Sequence, residues 1–206
     1  MQREKAELLS KPILESLSTR GRTEICGDYR RGKRYVKSII LVTLVPPLEV
    51  KEILKEYDPT SRGNVKTTAL MLVEGFPVYA VSTTEPAWGA TTLFFTGPYN
   101  FKQCICSDAK IQGYLLNKSG LWVGKERVAG KTEEQIFQCL GLEYKPPENR
   151  MFYMTEQRRE YNERRLTRPA KEGLQHNVSN NGYEEKGRFI RDKKRASLPI
   201  ASLRQN

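Results

Sequence analysis

The sequence predicts an α+β protein: a mixed or antiparallel sheet with flanking helices, then a small second α+β unit, then a basic tail. Helix-period and strand-like apolar runs interleave over the first 82 residues. Two helical segments broken at Gly97-Pro98 lead into short strands and a capped helix. After Pro169 no apolar period survives. The expected divisions are 1–97, 98–150 and 151–206.

In chain order, Ala6, Leu9, Ile13 and Leu17 fall on one face of a helix over residues 3–18, which the cluster Ser18-Thr19-Arg20-Gly21 ends. Thr23–Cys26 and Lys37–Val45 read as strands around the turn Gly27–Lys33. Pro46-Pro47 opens a helix carrying Leu48, Ile53 and Leu54. Val65–Val73 and Phe76–Ser82 flank Glu74-Gly75, a two-residue hairpin connection. Pro86–Ile111 gives the two helical segments, and Tyr114–Asn117 and Leu121–Val123 a short strand pair. Thr132-Glu133-Glu134-Gln135 is a capping box, because a threonine hydroxyl and a glutamine three residues on can satisfy each other's backbone amides, and Gly141 stops that helix. Thr155–Arg168 is charged and helix-prone.

Of 206 residues, 38% are hydrophobic, enough for a core that needs no covalent staple. The formal charge of +11 calls for an anionic partner, most simply nucleic acid. Residues 150–206 hold 14 Lys+Arg against 7 Asp+Glu, so most of that charge lies there. The four cysteines (Cys26, Cys104, Cys106 and Cys139) form no pair of metal knuckles, and the single histidine, His176, sits in the polar tail, so no structural zinc is expected. Cys104 and Cys106 read as two small core or semi-buried side chains rather than a redox device. No apolar stretch has the length of a membrane span or a signal segment, and a cytoplasmic location with reduced thiols is expected, in a host cell or virion if the source is a phage.

Three stretches combine into a specific pattern. The first is Ile25-Cys26-Gly27-Asp28-Tyr29-Arg30-Arg31-Gly32-Lys33, running into the apolar strand Ser38–Thr43. The second runs from Trp88-Gly89 through Phe94-Phe95-Thr96-Gly97-Pro98. The third is Gly141-Leu142-Glu143-Tyr144-Lys145-Pro146-Pro147-Glu148-Asn149-Arg150. In this order and spacing they resemble the palm and thumb of family X nucleotidyltransferases, the group of DNA polymerase beta, and especially its short phage- and prophage-type members. The resemblance covers residues 1–150 and implies a nucleotidyltransferase palm over 1–97 and a thumb-like unit over 98–150.

It also implies where a site would lie. In the family, acidic residues at alternate positions on the strand after the Arg-Arg-Gly turn, and a third on a neighbouring strand, hold two divalent metals, hard cations that require anionic oxygen ligands. The matching positions here are Ser38, Ile40 and Tyr79: a hydroxyl, a hydrocarbon and a phenol. No catalytic residue and no metal ligand is therefore expected. Asp28, Glu74 and Glu85 are the nearest acids, but they fall on turns. Magnesium is expected only if catalysis survives, and otherwise no cofactor. Gly27, Arg30, Arg31, Phe94, Phe95 and Gly97 match nucleotide- and phosphate-binding positions. Arg30 and Arg31 suit ion pairs as well as an anion. The glycines beside them favour an anion contact at Arg31, which Asp28 would oppose. Phe94, Phe95 and Trp122 are equally explained as core. Asn117 and Gly120-Leu121-Trp122 match the thumb hairpin, whereas Cys106 stands where larger relatives place a template-contacting arginine. The family's cis peptide after this glycine implies a cis Gly97-Pro98 bond.

The resulting expectation is a catalytically inactive, polymerase-beta-like domain that binds nucleic acid, DNA or RNA, or serves as an accessory protein. A structural subunit of a nucleoprotein, transcription or replication assembly, with a protein partner, and residual template-directed or terminal nucleotidyl transfer are the alternatives. Arg158, Arg159, Arg164, Arg165, Lys193, Lys194 and Arg195 are the expected nucleic-acid contacts. The tail is expected to order only on a partner.

Overall fold

The computed structural model describes residues 1–58, 62–64 and 68–166, and Met1–Arg168 pack as one unit. Five strands form the first sheet: β1 (Thr23–Cys26), β2 (Ile39–Thr43), β3 (Arg62–Asn64), β4 (Thr68–Val73) and β5 (Phe76–Ser82), in the order β1-β2-β5-β4-β3. Only β2 and β5 run parallel, so the sheet is mixed. A parallel pair requires a crossover, supplied here by α3 (Pro47–Tyr57) with β3 and β4.

The period-2 alternation of β2 sorts its side chains onto two faces. Ile39 and Leu41 join Val78 and Ala80 of β5 in a core with Ala6, Ile13 and Leu17 of α1 (Arg3–Ser18) and Val50, Ile53 and Leu54 of α3. On the other face, Val42 and Val81 pack with Cys26 and Trp88. The β4–β5 hairpin turns through Glu74 (φ 51°) and Gly75 (φ 76°), the double positive φ of a type I′ turn that matches the strand twist.

α4 (Trp88–Thr96) is buried all round its first six residues and serves as the spine. Trp88 faces the first sheet, while Ala90 and Leu93 enter a second core with Phe101 and Ile105 of α5 (Tyr99–Ile111) and Ile136 and Phe137 of α6 (Glu133–Cys139). The second sheet is β6 (Leu115–Asn117), β7 (Gly120–Val123) and β8 (Glu126–Ala129), all antiparallel. Gly89 permits the closest approach: a β-carbon on it would lie 2.1 Å from the backbone carbonyl carbon of Thr132. α7 (Glu156–Leu166) packs on α5.

The structure adjusts several expectations. The Gly27–Lys33 turn begins with a single helical turn, α2 (Gly27–Arg30). The following strand starts at Ile39 rather than Lys37, leaving Ser38 just outside it. β3 and β8 were not expected; each has only three or four residues and carries charged or small side chains, so neither shows an apolar alternation. The Thr132 capping box is present in both directions, and the Gly97-Pro98 bond is cis.

Candidate functional site

α2 places Arg30 and Arg31 beside the end of α4. Arg30 Nε forms an ion pair with Glu24 Oε1 at 2.7 Å, and its Nη1 donates to Thr96 Oγ1 at 3.0 Å and to Glu133 Oε1 at 2.8 Å. Arg31 donates to the Asp28 carboxylate and to the Thr96 carbonyl. Gly97 (φ 68°) leaves room for this, since a β-carbon there would sit 3.2 Å from Arg31 Nη1. Gly27, Arg30, Arg31 and Gly97 are thus brought together. Both guanidinium groups are occupied by protein acceptors, and Asp28 pairs with Arg31, so its charge meets the guanidinium that an outside anion would need. Burial weakens the Arg31 charge and Asp28 supports it.

Phe94 and Phe95 are half-buried and diverge: Phe94 packs toward the second core, with Lys102 Nζ 5.9 Å from its ring, and Phe95 toward Cys26 and Trp88.

The floor beside α2 is a cross-strand row. Ile40 of β2 stands in register with Cys26 of β1 on one side and Tyr79 of β5 on the other, and Tyr79 pairs with Leu70 of β4. Gly27 seals the row, because a β-carbon on it would reach 3.3 Å from Ile40 Cδ1. Ser38, Ile40 and Tyr79 are each half-buried and none is a carboxylate. The neighbouring acids, Glu24 and Asp28, are held by Arg30 and Arg31. Glu74 lies at a hairpin tip and Glu85 in a short 3-10 turn. Among the described residues, no three His, Cys, Asp or Glu side chains are grouped to hold a metal ion. The residues present at this floor do not fit a two-metal centre.

The strongest electrostatic feature is one that the sequence did not reveal. Glu133, 4% exposed, accepts from Arg30, from both terminal nitrogens of Arg150 (3.0 and 2.7 Å) and from Tyr144 Oη at 3.2 Å. Arg150 is itself buried, donates from Nε to the Lys145 carbonyl at 3.0 Å, and lies 5.6 Å from the Phe101 ring centre. Burial alone would raise the Glu133 pKa, but hydrogen bonds from Arg150 and Arg30 prevail and hold it below the usual carboxylate range. Burial likewise disfavours the Arg30 charge, and Glu133 and Glu24 more than restore it. The sequence signal for Glu133 was purely local: an acid in the first turn of a capped helix suits the helix dipole.

The expected nucleic-acid contacts separate. Arg158 is buried, donating to the Cys104 carbonyl at 3.1 Å, to the Tyr153 carbonyl and to Met154 Sδ at 3.0 Å. Arg159 is exposed, and Arg164 lies 3.4 Å from Glu160. The Arg165 side chain, Lys193, Lys194 and Arg195 lie outside the described residues. No helix among the described residues is long and apolar enough to cross a membrane.

Comparison with known proteins places this geometry. Residues 91–151 match the family model DNA polymerase beta thumb. A solved structure of Leishmania infantum polymerase beta, a ternary gap complex, is similar at a TM-score of 0.64 and 19% identity, over 73% of this chain and 70% of that one. No curated protein sequence matches the chain. With its mixed sheet, bridging α4 and second sheet, the chain has a polymerase-beta-like α+β fold, and its residues 91–151 are similar to the DNA polymerase beta thumb.

Proposed function

We propose that this chain is a catalytically inactive polymerase-beta-like domain that binds nucleic acid, with residues 1–97 as palm and 98–150 as thumb. The observation that carries the reading is the Ile40–Tyr79 pair: at two of the three positions where the family resemblance implies carboxylates, adjacent strands bring together a hydrocarbon and a phenol, with the Cys26 thiol beside them. Two dications there would lack the negative charge that holds them. The thumb match and the net charge of +11 support nucleic acid as the partner. The test is primer extension by the full chain with magnesium and with manganese, including single turnover. No extension is expected. A variant carrying Ser38→Asp, Ile40→Asp and Tyr79→Asp, checked for folding by circular dichroism, is the positive control. Metal-dependent extension by the unaltered chain would overturn the reading.

Basic residues of the stretch after residue 168 supply phosphate contacts in this reading, so truncation after residue 168 lowers affinity for a duplex and flattens its salt dependence. An unchanged slope would remove the tail from the interface. A second reading, an accessory subunit of a larger assembly, is favoured by the same apolar row, which continues into Leu70 and lies beside the 55%-exposed Leu72. Co-purification of a stoichiometric protein partner from the native source, lost on Leu72→Lys, is its expected outcome.

A further inference from the structure

Between α5 and α7 lies a cavity of about 470 Å³, within the range of small-ligand sites and separate from the strand floor. Its walls combine large apolar side chains left in water with positive charge. Phe152 is 58% exposed, Tyr161 48% and Met154 38%. Lys110 opens onto the cavity and forms no ion pair with a described residue. Arg158 forms the inner wall, its guanidinium 5.7 Å from the Phe152 ring centre. Among the described residues, no aspartate or glutamate lines the cavity. Asp108, behind it, is already engaged by Thr155 at 2.8 Å and approached by Arg158 at 3.8 Å.

Arg158 is spent on the protein's own carbonyls, so it contributes fixed charge and a rigid backing for Phe152, while Lys110 is the cation left to meet a ligand. Exposed aromatic faces and a neighbouring cation suit a flat ring bearing a negative charge, because stacking desolvates the ring faces and the ammonium meets the anion. An acidic peptide would satisfy the charge but leave the aromatic faces without a flat partner.

We propose that this cavity binds one unstacked nucleotide of a single-stranded nucleic acid, its base against Phe152 and Tyr161 and its phosphate at Lys110. The site extends the nucleic-acid reading to single strands and uses none of the residues of the strand floor. The test uses the full chain and a short oligothymidylate carrying a terminal 2-aminopurine, whose fluorescence falls on stacking, with a blunt duplex as the second probe. Quenching is expected with the unaltered chain. Because Phe152 and Tyr161 are exposed, Phe152→Ala and Tyr161→Ala retain the fold, and each weakens the oligonucleotide about 5- to 150-fold, the span for losing one base–aromatic stack. Lys110→Gln reduces the salt slope for the single strand by about 0.7, the share of one phosphate contact. Duplex affinity stays unchanged in all three variants. Absence of quenching, or quenching that survives both aromatic substitutions, overturns the proposal. In that case duplex binding by the same preparations leaves the general nucleic-acid reading standing, and its loss would remove both.

Discussion

Arg30 Nη1 lies 2.8 Å from Glu133 Oε1 and joins residues 103 positions apart, one at the end of the turn after β1 and the other in the first turn of α6. Arg150 holds the opposite side of the same carboxylate. A buried acid between two arginines ties the first sheet's edge turn to the second core. Removing its charge leaves buried Arg150 without its carboxylate partner and Arg30 with Glu24 alone. Glu133→Gln is expected to cost about 3–5 kcal/mol, the range for breaking a buried pair from one side. Urea unfolding at neutral pH measures it, and a loss under about 1 kcal/mol would show that the pair is solvated in solution.

The same group sets an acid limit. The Glu133 pKa is depressed in the folded protein, so its stabilisation is complete above the unfolded value of about 4.3 and is lost as pH falls through the lower folded value. Unfolding free energy should decline below about pH 4.3. In Glu133→Gln that decline should be shallower. Equal slopes in the two proteins would assign the acid sensitivity to other carboxylates.

Gly89→Ala should be among the most damaging single substitutions. Its new methyl group would meet the backbone of Thr132 and Glu133 at 2.1–2.6 Å, and backbone cannot swing aside as a side-chain tip can. The hydrogen bonds from Gly89 N to Lys131 O and Ala90 N to Gly130 O would be forced apart. A fall in melting temperature with loss of near-ultraviolet dichroism is expected. Gly113→Ala is the comparison: nothing lies within 4 Å of a β-carbon there, although its φ of 85° still carries a backbone cost. It should be much milder.

The thiols should react in order of access. Cys139 is exposed, Cys106 half-buried, and Cys26 and Cys104 are buried. Burial, opposed by the charge of Arg30, pushes the Cys26 pKa up to about 12. A dithiobis-nitrobenzoate titration of the native chain near neutral pH should show one fast thiol and a slower second, with Cys26 and Cys104 reacting only in denaturant. Fast labelling of Cys26 would mean that the row with Ile40 and Tyr79 opens in solution.

Local signals carried over to the structure wherever neighbours in sequence are also neighbours in space. The Thr132 capping box, the Glu74-Gly75 hairpin and the break between α4 and α5 each depend on a few consecutive residues. β8 was missed because Glu126–Ala129 is mostly exposed, so pairing with β7 rather than burial makes it a strand. Arg158 shows the converse. Within a charged helix it looks like its exposed neighbour Arg159, but it points at the carbonyls of Cys104 and Tyr153, which the sequence cannot place.

The sequence by itself determined the order of the longer helices and strands, the α+β class, the strand alternation that gives β2 its two faces, and the absence of acids at Ser38, Ile40 and Tyr79, because all of these depend on residue identity and short-range spacing. Only the tertiary structure decided which charges neutralise one another. Arg30, Glu133 and Arg150 converge from distant parts of the chain, and whether an arginine meets an outside anion or an internal carboxylate depends on what the fold packs against it.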